Sequence, residues 1–165
     1  MKLQGFTLIE QLIALSILAI VLALGIPSFS EQIKNAYTNA AMHELLHAIE
    51  TTRALAVSSN KRTVLLANEE DWTKGWTLFV DADENGELNG DERLKLENQG
   101  LTNVKTDANT HVKARVAFIG TGAVSQMGTI KICPKTNGEG YALIISRGGR
   151  TRVKALDAEI CAAIP

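Results

Sequence analysis

Aromatic side chains are scarce: four Phe, two Trp and two Tyr make up 5% of 165 residues. Trp72, Trp76 and Tyr141 are the nearest candidates for stacking on bases, and none lies inside the basic arm Arg147–Lys154. Any nucleic-acid contact therefore has to be electrostatic and indifferent to base sequence. Cysteine is limited to Cys133 and Cys161, with no CxxC, which argues against a dithiol redox centre. There is no P-loop, no dinucleotide fingerprint and no set of nucleophile and base, so the common enzyme classes lack their parts. Neither an internal repeat nor a low-complexity tract breaks the chain, and its length suits one domain.

What is present is unevenly spread. From Leu12 to Ile26 the only polar side chain is Ser16. With Phe6, Leu8 and Ile9 added, the stretch approaches the roughly 20 residues a bilayer crossing needs. An ordinary signal peptide would be cut after this run, at Ala23-Leu24-Gly25. Glu10 argues otherwise: an intramembrane carboxylate is costly unless paired, and a disposable signal has no reason to carry one. Behind such a segment, in an exported domain, the even cysteine count favours a Cys133–Cys161 disulfide. It would tie the C-terminal tail to the sheet and add about 3–4 kcal/mol on the chain-entropy argument.

The net charge of −1 conceals a division. Between His111 and Lys154 eight bases face one acid, Glu139, giving +7. Between Ser28 and Thr110 fourteen acids face eight bases, giving −6. The basic half suits a polyanion partner, or else a solvated sheet face.

Beyond Pro27 the apolar positions Ile33, Ala36, Ala40, Ala41, Leu45, Leu46, Ile49, Leu55 and Ala56 recur at helical spacing, to about Ser58. After Asn60 the period becomes two. Strands are expected at Thr63–Ala67, Trp76–Val80, Arg93–Leu96, Val112–Ile119, Thr129–Cys133 and Tyr141–Ser146, forming an antiparallel sheet with one buried face.

Lys2, Gly5, Phe6, Thr7, Leu8, Ile9 and Glu10 together resemble the prepilin motif of type IV pilins and secretion pseudopilins. The resemblance implies a leader over 1–5, cleaved after Gly5 by prepilin peptidase, with Phe6 then methylated. It implies a membrane or filament-core helix over 6–28, bent near Pro27, and a helix continuation plus β-rich head over 29–165. Glu10 would pair with the N-terminus of a neighbouring pilin, each charge offsetting the other's desolvation. The implied fold is α+β, a long helix on antiparallel sheet. The implied location is the bacterial inner membrane, then the pilus, with the head periplasmic or extracellular.

Three constellations carry chemistry. His43-Glu44-Leu45-Leu46-His47 matches HExxH, which can grip zinc. It sits beside the helix's apolar stripe and lacks a third ligand, so a coincidence is expected and no enzyme.

Asp81 to Glu92 matches a calcium loop, with candidate ligands Asp81, Asp83, Asn85, Glu87 and Glu92 and a glycine, Gly86, at the sharp turn. Its flanks read as strands, so an acidic hairpin loop is the competing interpretation.

Arg147-Gly148-Gly149-Arg150-Thr151-Arg152-Val153-Lys154 is the third. A two-residue Gly148-Gly149 turn would return an extended arm with Arg150, Arg152 and Lys154 on one face, roughly 7 Å apart. That is close to the phosphate spacing of a DNA strand. Arg147, Lys113 and Arg115 would add to the patch. Gly149-Arg150-Thr151-Arg152 resembles the GRxR element of FimT-like minor pilins, which bind DNA in natural transformation. With the Gly75-Trp76-x-x-Phe79-x-Asp81 strand, it makes the head similar to the GspH/FimT/FimU group. The function so implied is a minor pilin that holds double-stranded DNA. The alternatives are a structural subunit that primes pilus assembly and a type II secretion pseudopilin.

Overall fold

The computed structural model of the chain describes residues 7–90, 92 and 94–164. Its first element is a long helix, α1 (Leu8–Ser59). Thr7 and Glu10 close the start as a capping box. The Glu10 N–H donates to Thr7 Oγ1 at 3.3 Å, and the Thr7 N–H donates to Glu10 Oε2 at 2.8 Å. The chain is helical on both sides of Pro27. The helix stops at Asn60, which takes a left-handed φ of 50°. There the Lys61 N–H reaches Ala56 O at 3.3 Å and the Asn60 N–H reaches Val57 O at 3.4 Å, the paired bonds of a Schellman ending.

Two compact units divide the chain, Met1–Lys34 and Asn35–Pro165. In the first, Leu8, Ile9, Leu12, Ile13, Leu15, Ile17, Leu18, Ile20, Val21 and Leu22 are all at least half exposed. A helix apolar on every side is one meant to be covered, by lipid or by other helices. Among the described residues no helix is long and apolar enough to cross a membrane. The apolar run of the sequence continues through Ile26, beyond the last described side chain of that run, Ala23.

In the second unit α1 buries a stripe: Thr38, Ala41, Met42, Leu45, Ala48, Ile49, Thr52 and Ala56. The steps of three and four are those of one helix face. Ile33, Ala36 and Ala40, expected on that face, are exposed instead.

The strands are β1 (Thr63–Ala67), β2 (Trp76–Val80), β3 (Leu94–Asn98), β4 (Val104–Ala108), β5 (Arg115–Phe118), β6 (Gly128–Pro134), β7 (Gly140–Ile145) and β8 (Thr151–Leu156). They form two four-stranded antiparallel sheets, ordered β3-β2-β1-β5 and β4-β6-β7-β8. A short helix, α2 (Ala158–Ala162), follows. The main core joins Leu45 and Ile49 of α1 to Leu65, Leu78, Val116 and Phe118 of one sheet and Ile130, Ile132, Leu143 and Ile145 of the other.

Two expectations need correcting. There are two sheets, not one, and each has a small apolar cluster on its reverse side. Val64, Phe79 and Ala117 form one; Cys133, Ala142, Leu156, Cys161 and Ile164 form the other. The strand expected over Val112–Ile119 starts only at Arg115. Val112 is held by a 3-10 turn, its N–H donating to Asn109 O at 3.0 Å while its carbonyl accepts from Trp72 Nε1 at 3.0 Å. Both backbone groups are thus satisfied away from a strand ladder. β3 covers the expected Leu94–Leu96 and runs on to Asn98, while Arg93 lies outside the described residues.

Candidate nucleic-acid interface

The β7–β8 hairpin is built by alternation. Tyr141, Leu143 and Ile145 turn to the main core, while Ala142 and Ile144 pack on the reverse side. The reversal takes three residues, Arg147 to Gly149, because Ser146 rather than Arg147 closes it. The Ser146 N–H donates to Arg150 O at 3.0 Å, and Gly149 N–H donates to Ser146 O at 2.8 Å. A two-residue type I′ turn would demand positive φ at both glycines. Only Gly149 has it, at 77°. A Cβ on Gly149 would fall 2.0 Å from Gly122 O, so close backbone approach also reserves the position for glycine.

The returning arm is a strand. β8 pairs Thr151 with Ile145, Arg152 with Ile144 and Lys154 with Ala142, and it forms the sheet's edge. Arg147, Arg150, Arg152 and Lys154 are all exposed. Residues directly paired share a face, so Lys154, Ala142, Lys131 and Asp107 form one row across the sheet. Within it Lys131 Nζ lies 2.9 Å from Asp107 Oδ2.

Lys113 and Arg115 are not part of this hairpin. Lys113 Nζ faces Glu70 at 3.4 Å, and Arg115, on the other sheet, donates from Nη1 to Gly86 O at 2.6 Å. One arginine unforeseen from the sequence does join the hairpin. Arg53 of α1 donates from Nε to Gly122 O at 2.9 Å and from Nη2 to Gly148 O at 3.4 Å. It lines a groove of about 620 Å³ with Glu50, Val57, Gly149, Arg150 and Thr151. Its only sequence signal is a place beside the apolar stripe.

The other predicted residues fall as follows. Cys133 and Cys161 are joined, with Cα atoms 5.5 Å apart, tying α2 to β6. His43 and His47 are exposed, Glu44 Oε1 accepts from Asn98 Nδ2 at 2.6 Å, and no third ligand joins them among the described residues. Asp81, Asp83 and Glu92 do come together, each offering an oxygen within 4.8 Å of the others. Burial pushes the Asp81 carboxyl above its ordinary value; the Arg62 guanidinium opposes this and the Glu92 charge adds to it. Asn85 Oδ1 accepts from the Glu87 N–H at 2.6 Å. Gly5 and Phe6 lie outside the described residues. Glu10 is the capping carboxylate of α1.

The sequence model for the family described as Type II transport protein GspH matches residues 41–149, more than half of the chain. The chain belongs to the GspH family. The prokaryotic N-terminal methylation motif matches residues 1–26, so this GspH-family chain carries both the head and the N-terminus of its class. The fold is similar to that of the type IV minor pilin FimU of Pseudomonas aeruginosa, with TM-score 0.63 and 22% identity over 73% of this chain and 90% of FimU. It is also similar to the minor pseudopilin EpsH of the Vibrio cholerae type 2 secretion system, with TM-score 0.55 and 15% identity over 72% of this chain and 96% of EpsH. No curated protein gives a significant match. The architecture is thus the α+β type IV pilin fold, and the family is structural rather than enzymatic.

Proposed function

We propose that this GspH-family chain is a minor pilin that binds double-stranded DNA through the β7–β8 hairpin during DNA uptake. The observation that carries this reading is the gathering of Arg147, Arg150, Arg152 and Lys154, all exposed, on one short hairpin. Guanidinium groups fork onto phosphate oxygens, and the row along β8 repeats at about 7 Å. With so few contacts, affinity per subunit is weak and strongly salt-dependent. The anchor is the apolar helix over 6–28. It is held in the inner membrane until prepilin peptidase cuts after Gly5 and Phe6 is methylated, and then it packs against other pilins in the filament. Glu10 answers the N-terminus of a neighbouring subunit there.

The family description favours a second reading, a pseudopilin serving protein export without DNA contact. Deletion separates the two. Loss of transformation with secretion intact supports the first, and loss of secretion supports the second.

The direct test is a DNA titration of the Asn35–Pro165 unit, which contains every buried core residue among those described. Wild type and the Arg150→Gln/Arg152→Gln double variant are compared at two salt concentrations. Wild-type binding should fall with salt, and the variant should bind weakly, with a log–log salt slope shallower by about 1.8. A folded wild-type unit that ignores DNA at low salt would sink the proposal.

A further inference from the structure

The loop between β2 and β3 contains a buried acid that lacks a full set of partners. Asp81, the residue after β2, is only 1% exposed. Its Oδ2 accepts from the Gly86 N–H at 3.0 Å and lies 3.2 Å from Arg62 Nε. Its Oδ1 is shielded from solvent, and among the described residues no donor reaches it. Such an oxygen costs free energy unless a positive group or donor satisfies it. The Arg62 guanidinium lies toward the opposite oxygen, and its Nη1 donates to the Glu84 carbonyl.

Two more carboxylates converge on Asp81. One oxygen each from Asp81, Asp83 and Glu92 lies within 4.8 Å of the other two. Two oxygens bound to one calcium ion at 2.3–2.6 Å are at most about 5 Å apart, so the three carboxylates are already close enough to share one ion. Amide donors hold the outer two acids in place. Asp83 Oδ2 accepts from Asn85 Nδ2 and Asn89 Nδ2, both at 2.8 Å. Glu92 accepts from the Ala82 N–H at 2.9 Å through Oε1 and from the Asn89 N–H at 3.0 Å through Oε2. Asp83 Oδ1, which accepts the Asn85 N–H at 3.2 Å, and both Glu92 oxygens retain lone-pair capacity for a cation.

We propose that this loop is a calcium site, with Asp81, Asp83 and Glu92 as the carboxylate ligands. Asn85 Oδ1, which spends one lone pair on the Glu87 N–H, and the Glu87 carbonyl complete the oxygen set. Arg62 and Arg115 brace the loop from outside through the carbonyls of Glu84 and Gly86. Among the described residues, three acids against the one arginine paired with them leave net negative charge at the site, which a divalent cation neutralises. None of the hairpin's cations takes part, so this proposal and the DNA reading stand or fall separately.

The test uses the full chain in detergent micelles, stripped with EGTA, then titrated with calcium chloride by calorimetry and followed by thermal melting. One calcium per chain should bind saturably, and the melting midpoint should rise with calcium but not with equal magnesium. Asp83→Asn and Glu92→Gln keep shape and remove charge; each should weaken calcium binding at least tenfold. Asp83 is exposed, so its variant stays informative if Glu92→Gln fails to fold. Three results would overturn the proposal: no heat or midpoint shift for the folded chain at about 10 mM calcium, far above the range of such sites; an equal response to magnesium; or undiminished binding in the folded variants.

Discussion

Gly148 and Gly149 are adjacent in one turn yet differ in what they tolerate. At Gly149 a side chain meets both a φ of 77° and a backbone oxygen 2.0 Å away. At Gly148 nothing lies within 4 Å of the position a Cβ would take, and φ is not positive. Gly149→Ala should therefore cost at least about 2 kcal/mol, from the left-handed penalty and the clash together. Gly148→Ala should be near neutral. Denaturant melts of the two variants check the contrast, and equal stabilities would mean that the turn is not held as described. The pair of glycines was legible as a turn. Its register was not, because that depends on which residue closes the loop, and here Ser146 bonds Arg150 through both its N–H and its Oγ. Arg53 was equally hidden: its partners Gly122 and Gly148 lie 69 and 95 residues away.

Compact apolar runs were read correctly as strands, but alternation alone was not enough: Val112 and Ala114 continue the period of β5 and yet precede it. β1 and β2 begin and end where the sequence places them, since each is a short, nearly continuous apolar run buried on both sides. β4 was missed because Val104-Lys105-Thr106-Asp107-Ala108 has only its two ends apolar; it is a strand because β6 pairs with it along its whole length. α2 is too short to show a period and is secured by Cys161. That bond gives the prediction at this scale. The cysteines are 28 residues apart, so reduction or the Cys133→Ser/Cys161→Ser change should lower stability by about 3–4 kcal/mol. Amide exchange should quicken first in α2 and around Leu156 and Ile164, which pack on the bond. A reduced chain as stable as the oxidised one would show that the reverse-side cluster holds the tail without help.

For the whole molecule the decisive contrast is between two kinds of exposed surface. The head exposes cations along one hairpin, while the first unit exposes leucine and isoleucine on every side of α1. A surface of the second kind calls for partners, and Glu10 lies at its beginning. In the single chain that carboxylate already has a role, accepting from both the N–H and the hydroxyl of Thr7 through Oε2. Capping and pairing with a neighbour's N-terminus are therefore separable. Gln serves a capping box as well as Glu does, because the box needs an acceptor rather than a charge. Glu10→Gln should keep the helix start and the head's melting behaviour, yet lose incorporation into filaments, because an amide cannot balance a desolvated ammonium. Glu10→Ala should lose both the cap and the pairing. Filament fractions probed for this subunit, alongside helicity of the full chain in micelles, distinguish the cases. If Glu10→Gln enters filaments as wild type does, the carboxylate acts as a cap alone and its charge has no part in assembly.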